Sequence, residues 1–556
     1  MNRSLTRWLT QIPTIAWIMI GLALLLRLAG VAYGLPQQLD PDEQLFVRAA
    51  GRMLAHGSLD PEWYDAPAST LIDVLVLLYG GYVGIGLVTG YFDGFSDVFA
   101  DLYFDVSAYF LIGRVFTATI GTACLVVVYK ICRELGASVV WSTAAVALLA
   151  VSPLMIHYSS IIRMDTLQVL FNLLIALFVV KALEAPRMKF FLGAGVALGL
   201  AVTSKYPGLV GVILIIAAAV LLRIRGRLTP QMEFRVLTAA GVASVVTAFV
   251  VGPYLFINFP DVLTAVSIQA RPSHVGATST GLLSSIFGYL TEVMPQALTY
   301  FVALLGILAI FGINLVRHGW VVSLFFVTYL VFIASLSLFW ARWALPLIPF
   351  VVIALVVVVD RVDRWLSIRF SSSKALRYAA VALLVLPLGW RGFQETWIRA
   401  TDNDTRVVAL QWAQKNVPQG ATVLLETYAP ALAATQYQVL IAHGDRLVPW
   451  ASLSKWRRPS GFYGSLGDIA RPDDAEAVID LIEAGGVDYI FLSNWVDRYR
   501  AEKAIYGKEL AMYELILDSY PTVRTFSGAD ADRGPMIRVL RVAALSGTLD
   551  AQQLEQ

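Results

Sequence analysis

Apolar residues fill the first 400 positions in runs too long for the half-buried helices and strands of a soluble protein. Stretches such as 209–222 and 349–359 carry no charge at all. Runs of this kind, repeated at the spacing a bilayer imposes, predict transmembrane helices. The pattern places spans at about 14–34, 109–130, 140–160, 165–183, 190–206, 208–224, 236–257, 296–316, 320–340, 343–360 and 378–394, about eleven in all. Beyond position 395 the texture changes, and charges, Gly and Pro return at ordinary frequency. There Thr405–Asn416 and 473–484 show helical periodicity, while 421–426, 487–493 and 536–542 read as strands. The expected fold is mainly α: a polytopic helical membrane domain over 1–395, then a small external α/β domain over 396–556. Within the first, 35–108 forms an external loop with interfacial helices, and 258–295 a second long external loop.

Composition agrees with this division. Of 556 residues, 58% are hydrophobic and 15% charged, and mean hydropathy is +0.68. A soluble chain is nearer a quarter charged. A net charge of +2 gives no footprint for nucleic acid. The two cysteines, Cys124 and Cys132, lie eight apart on a predicted helix, too far for a disulfide. The motif G-x-x-x-x-G-K-[ST] is absent, which disfavours an ATP-driven pump. The N-terminal MNRSLTRW leads into a long apolar run carrying Arg27 with no small-x-small cleavage site after it. It reads as an uncleaved first span.

Basic residues fix the expected sides. Lys130 and Arg133, then Lys181, Arg187 and Lys189, then Arg223, Arg225, Arg227 and Arg235, then Arg317, and finally Arg361, Arg364, Arg369, Lys374 and Arg377 fall in alternate loops. The loops between them are poor in Lys and Arg. This is the positive-inside pattern; it places the N-terminus in the cytoplasm and the C-terminal domain outside a plasma (inner) membrane. The apolar stretch 70–88 would reverse every later loop if it crossed, so it is expected as an interfacial or re-entrant segment. After it, Asp93, Asp97, Asp101 and Asp105 recur every four residues among Phe and Tyr, as on a surface helix at the interface.

Charges beside spans are costly and so point to function more often than in soluble proteins. Asp40-Pro41-Asp42-Glu43 follows the first span, Arg163 and Asp165 lie between the third and fourth, Lys205 ends the fifth, His274 sits in the long loop, and Arg342 separates the ninth and tenth. By the expected topology all face one side. Each also has a plain structural reading. A loop Asp can be merely solvated, Lys205 and Arg342 can snorkel, His274 can be a surface histidine, and Arg27 and Arg114 can pair with a helix carbonyl or a buried acid. As a set they suit chemistry at a phosphate: a base to take a proton from a hydroxyl, and positive charge where a leaving phosphate gains negative charge.

The same segments carry a resemblance. LDPDEQLFVRAAGRMLAHGSLDPEWYDAP is similar to the first external loop of the C-type glycosyltransferases of family 39, whose marker is an Asp-Glu pair, here Asp42-Glu43. YFLIGRVFTATIGTACLVVVYKICRELG resembles the family's second span, headed by Arg114. YSSIIRMDTLQVLF resembles its second external loop, with Asp165 as the acid. GLAVTSKYPGL is similar to the family's G-x-A-x-x-x-K-x-x-G-L stretch, with Lys205. SHVG and RWALPLIPF resemble later segments, with His274 and Arg342. Departures are Ala66-Pro67-Ala68 in place of Y-P-P-L, a longer and more acidic loop after Pro67, and Trp343 in place of Tyr.

The resemblance implies a C-type glycosyltransferase fold and inverting transfer of a sugar from a polyprenyl-phosphate donor to a lipid, glycan or protein hydroxyl outside the membrane. It implies Asp42 as catalytic base supported by Glu43, and Asp165 as a second essential acid. It implies Lys205 and Arg342 at the carrier phosphate, with His274 and Arg163 as further candidates there. It fixes no cofactor, since some relatives in the wider superfamily use a divalent metal and others do not; D-P-D can be read as a modified D-x-D divalent-metal motif formed by Asp40 and Asp42. The rival readings are a transporter or flippase of a lipid-linked sugar and an inactive relative acting as a scaffold. No paired repeat of broken helices supports the transporter.

Overall fold

A computed structural model describes residues 12–36, 39–40, 42–65, 67–104, 106–370, 374–443, 446–449 and 476–542. The chain forms two compact units. One comprises Met1–Ala32 with Asp42–Ala400, the other Tyr33–Pro41 with Thr401–Gln556.

The first unit is helical. Its principal helices are α1 (Thr14–Leu28), α2 (Glu43–His56), α3 (Ser69–Thr89), α4 (Phe95–Phe104), α5 (Ser107–Glu134), α6 (Val139–Ala150), α7 (Pro153–Ser159), α8 (Asp165–Glu184), α9 (Met188–Ser204), α10 (Val212–Ile224), α11 (Pro230–Val251), α12 (Phe259–Gln269), α13 (Tyr300–Gly312), α14 (Trp320–Ala334), α15 (Leu347–Phe370) and α16 (Lys374–Ala400). Among the described residues six helical segments, α3, α5, α8, Tyr206–Ile224, α11 and α16, are long and apolar enough to cross a bilayer, or seven if α6 and α7 count as one span. Four shorter apolar helices accompany them, at Thr14–Leu28, Met188–Ser204, Tyr300–Leu315 and Trp320–Ala334.

Breaks fall where the sequence allows them. The expected span 140–160 bends by 61° between α6 and α7, where Pro153 removes an amide donor. The carbonyls freed there accept from Arg27, whose Nη1 reaches Ala150 O at 3.2 Å and whose Nη2 reaches Leu149 O at 3.4 Å. Arg27 thus takes the structural role left open for it. The expected span 296–316 breaks at Thr299, whose φ is +67°, and α13 begins beyond it.

One end of this unit gathers the basic loops. Lys181 pairs with Glu134 at 2.5 Å, Arg317 with Glu184 at 3.0 Å and Arg377 with Asp363 at 2.7 Å. Arg364 Nη2 donates to Gly136 O at 2.9 Å. The opposite end carries Arg114, Lys205 and Arg342 and is called the site end below.

The stretch 70–88 is one unbroken 21-residue helix, α3, not a re-entrant hairpin. Its N-terminus meets the site end of α9, with Ala68 N donating to Ser204 O at 3.2 Å and the Thr70 and Thr203 hydroxyls 2.8 Å apart. Further along, Tyr79 packs on Tyr109, in the first turn of α5, with ring centroids 5.1 Å apart. Both contacts lie at the site ends of their partner helices, as suits a helix lying across those ends. The acidic series after it is not one stripe. Asp93 precedes α4 and its amide is capped by Asp97 Oδ2 at 2.9 Å; Asp105 lies outside the described residues.

Glycine sets the closest helix packing. A Cβ on Gly195 would stand 2.2 Å from Ala240 O, and one on Gly199 2.5 Å from Ser244 O, so α9 and α11 touch backbone to backbone. Small residues at such crossings replace the hydrophobic drive that lipid removes. Gly199→Val should therefore lower the midpoint of thermal unfolding in detergent, at a cost of about 1–3 kcal/mol. An unchanged midpoint would mean that the two helices separate freely.

The second unit is α/β. Helices α17 (Thr405–Asn416), α18 (Glu476–Ala484) and α19 (Gly507–Ser519) accompany a six-stranded sheet of β1 (Thr422–Leu425), β2 (Gln438–His443), β3 (Arg446–Pro449), β4 (Tyr489–Leu492), β5 (Thr522–Phe526) and β6 (Ile537–Arg541). Strand order is β3-β2-β1-β4-β6-β5. β1 runs parallel to β2 and β4, and the remaining pairings are antiparallel. The expected strands are β1, β4 and β6, and the expected helix 405–416 is α17. The first three residues of the expected helix 473–484 lie outside the described residues.

Candidate active site

The sequence Asp42-Glu43 starts α2 at the site end, and its two carboxylates go to different places. Glu43 is fully buried. Its Oε1 accepts from Arg114 Nε at 2.8 Å and from the Ile162 amide at 2.8 Å, and its Oε2 accepts from Arg114 Nη2 at 2.6 Å. Arg114 Nη1 donates in turn to Val31 O at 2.7 Å. One ion pair thus ties the start of α2 to the end of α1, to α5 and to the loop that carries Arg163. Buried charge of this kind is tolerated only when its hydrogen bonds are complete, as they are here.

Asp42 points into a charged cluster instead. Its side chain is 22% exposed, and its Oδ2 accepts from Arg163 Nη1. Arg163 also donates from Nε to Asp165 Oδ2 at 3.1 Å. Asp165, the first residue of α8, accepts from Lys205 Nζ at 2.6 Å on its other oxygen. Lys205 stands at the end of α9 in an extended conformation, with φ −161° and ψ 133°, just before the turn Tyr206–Gly211. Arg163, Asp165 and Lys205 are all buried. The cluster forms an alternating chain, Asp42–Arg163–Asp165–Lys205, drawn from three segments far apart in sequence.

Arg342 completes it from a fourth segment, within electrostatic range of Asp42, Asp165 and Lys205. Its guanidinium lies 4.1 Å above the Trp340 ring. The segment that delivers it is pinned to the long loop. Ser279 N donates to Ser337 O at 2.8 Å and Phe339 N to Ala277 O at 2.7 Å, and the Thr278–Leu338 bridge lies between them. His274 packs edge-on against the same Trp340, with ring centroids 5.2 Å apart. His274 therefore borders Arg342 through the indole. Trp340 is a site residue that the sequence does not single out, because an aromatic beside a span usually marks only the interface.

Two carboxylates and three cations give the cluster a formal charge of +1. Burial alone would raise the Asp42 carboxyl. The Arg163 and Arg342 guanidiniums outweigh that effect and hold it below its ordinary value. A divalent ion does not fit this arrangement. Asp42 is already paired with Arg163, and Asp40 belongs to the second unit, within the field of Arg406 there. Among the described residues no group of three or more His, Cys, Asp or Glu side chains is placed to hold a metal.

Residues 106–252, which include Arg114, Arg163, Asp165 and Lys205, match the family model for dolichyl-phosphate-mannose-protein mannosyltransferases. The match bears out the resemblance to glycosyltransferases of family 39, and with it the expectation of a glycosyltransferase. No curated protein sequence matches the chain. Among solved structures, the chain is similar to ArnT from Cupriavidus metallidurans in the apo state, at 14% identity and a TM-score of 0.49, over 98% of this chain and 100% of that one. It is similar to the same protein bound to undecaprenyl phosphate, at 14% identity and 0.46, over 96% and 99%. The S. cerevisiae protein O-mannosyltransferase Pmt1-Pmt2 complex bound to the sugar donor follows, at 17% identity and 0.30, over 52% and 36%.

Proposed function

We propose that this chain, which matches the mannosyltransferase family over residues 106–252, transfers a sugar from a polyprenyl-phosphate donor to an acceptor hydroxyl, with inversion, at the outer face of the membrane. The observation that supports it most is the alternating Asp42–Arg163–Asp165–Lys205 chain with Arg342 beside it. A phosphodiester-linked donor brings one negative charge to a cluster of net +1. Asp42 takes the proton of the acceptor hydroxyl as the oxygen forms its bond to the anomeric carbon. The bond from that carbon to the phosphate oxygen breaks, and the carrier leaves as a phosphate monoester with a second negative charge. The proton removes one negative charge from Asp42, so site and ligand together remain neutral throughout.

In this reading Lys205, Arg342 and Arg163 bind the phosphate, where fixed cations stabilise the charge that develops. In the free protein Arg163 occupies Asp42 and weakens it as a base. A donor phosphate competing for Arg163 releases that carboxylate, so basicity appears once donor is bound. Asp165 holds Arg163 and Lys205 in place. Glu43 is a positioning residue in this account, because both its oxygens are committed to Arg114 and Ile162. The basic loops collected at the other end support a cytoplasmic position for that end, which puts the site outside.

The phosphate cradle is tested by binding of synthetic polyprenyl phosphate to purified protein. Lys205→Met and Arg342→Gln should each weaken it about tenfold or more, since hydrogen bonds to a charged group contribute about 1.5–3 kcal/mol. Unchanged affinity in both variants would remove the phosphate from this cluster. The anomeric configuration of the product, read by NMR against that of the donor, tests inversion.

A pH profile tests the base. Because the Asp42 pKa in the free protein is lowered, its carboxylate stays ionised as pH falls through the usual carboxylate range. The kcat/KM profile should stay flat on its acid side down to about pH 4, the ordinary Asp value, and fall only below it. The stability that the Arg163 pair contributes is likewise present above the unfolded pKa and lost as pH falls through the folded one. An acid limb at pH 6 would assign the base to another group.

A further inference from the structure

Arg163 stands in a short loop, residues 160–164, between α7 and α8, and every residue of that loop is buried. Glu43 holds the loop from one side through the Ile162 amide. The Ile162 side chain fills a gap that Gly113 leaves, since a Cβ on that glycine would stand 2.6 Å from Ile162 Cδ1. The other hold comes from α16. Arg399 Nη2 donates to Ser160 O at 3.2 Å, a carbonyl just past the end of α7, where helical partners run out. Arg399 Nη1 lies 3.5 Å from His157 Nδ1, and that ring nitrogen lies 3.0 Å from Glu395 Oε1, one turn back along α16. Arg399 is 2% exposed, and a Cβ on Gly30, in the residues that follow α1, would stand 2.5 Å from its Cβ.

Burying a guanidinium costs free energy that an apolar side chain at the same helix contact would not. What Arg399 adds is a directed hold on one main-chain oxygen, three residues before Arg163. The Ser160 hydroxyl does not supply that hold, because it turns back to Ile156 O at 2.8 Å and steadies α7 instead. The hold matters because Arg163 serves two sets of partners in the proposed reaction. Its side chain bridges Asp42 and Asp165 in the free protein, and it turns to the phosphate when donor binds. A side chain exchanges partners without loss of geometry only while its main chain stays in place.

We propose that Arg399, oriented by His157 and Glu395, is a positioning residue for the transfer reaction and acts by fixing the loop that presents Arg163. The inference rests on the reading of Arg163 as the group that passes between Asp42 and the phosphate. α2, α7, the loop and α16 all belong to the first compact unit, so the hold is made within one body. Displacement of a reacting group by about 1 Å costs roughly 10²-fold in rate. Two variants loosen the hold. Arg399→Lys keeps the charge but loses the planar fork that reaches His157 and Ser160 O together. Glu395→Gln keeps the shape of the side chain and removes the charge beside His157.

The experiment uses the full-length protein in nanodiscs and measures amide hydrogen exchange over residues 160–164 and steady-state transfer of sugar from synthetic polyprenyl-phosphate donors. Each variant is made alone and again in an Arg163→Lys background. Exchange over 160–164 should rise at least about tenfold in Arg399→Lys while α5 and α9 stay protected, and kcat should fall roughly 10- to 10²-fold. Glu395→Gln should move both in the same direction by less, and it carries the test if Arg399→Lys fails to accumulate. In the Arg163→Lys background either change should alter kcat by less than about twofold, because the group it positions is already displaced. Equal losses in both backgrounds would make Arg399 a general support of the fold and overturn the proposal, and so would unchanged exchange over 160–164. A wild-type protein that turns over no donor would defeat the reading of the site instead, and exchange over 160–164 would then decide the hold on its own.

Discussion

Asp42→Asn should lower sugar transfer by about 10²–10⁴-fold, the range that a positioned general base contributes. The fold should survive, because Asn retains the shape of Asp and an oxygen for Arg163, and the side chain is partly exposed. Affinity for polyprenyl phosphate should hold or rise. Removing one negative charge takes the cluster from a formal +1 to +2 and frees Arg163 for the phosphate. The signature is therefore a large loss in kcat without a loss in carrier binding. Equal losses in both would make Asp42 a structural residue.

The largest effect on stability is expected from Arg114→Leu. This change leaves the Glu43 carboxylate fully buried, with the Ile162 amide as its one remaining partner among the contacts described above. Breaking one side of a buried ion pair costs about 3–5 kcal/mol. The variant should accumulate poorly or unfold well below wild type in detergent, as seen by thermal unfolding monitored with tryptophan fluorescence. The double variant Glu43→Leu with Arg114→Leu should recover part of the loss, because no unpaired charge is left behind. A loss below about 1 kcal/mol in the single variant would mean that water reaches the pair, and Glu43 would no longer explain how α2 and the Arg163 loop are held together.

Much of the candidate site was legible in the sequence because an apolar setting makes charge conspicuous. Asp165, Lys205 and Arg342 stand out beside long uncharged runs, and the structure joins Asp165 to Lys205 at 2.6 Å. Arg163 was visible for the same reason, although its place between two acids was not. The partner of Arg114 was foreseen only in kind, as some buried acid. Its identity as Glu43 depends on how α2 meets α5, a tertiary fact that local pattern does not carry. Trp340 was invisible because its function comes from what stacks on it.

The fold shows the same division. Helices announced by long apolar runs or by clear periodicity appear where expected, α17 included. β5 went unread because most of its positions are exposed and lack the alternation of a half-buried strand. β3 is only four residues long at the other edge of the sheet. By position, Tyr33 reads as the end of the first span and Leu39 as part of the first external loop. Their attachment to Asp404 and Arg406 joins residues some 370 positions apart, and no local signal records that.

The most direct test places purified protein in liposomes with synthetic polyprenyl-phosphate sugars labelled in the sugar, together with a membrane extract as acceptor. The account predicts that label leaves the carrier and becomes covalently attached to acceptor, with one polyprenyl phosphate released per sugar transferred. Label that crosses the bilayer still attached to its carrier, with no phosphate released, would contradict it and identify the protein as a transporter.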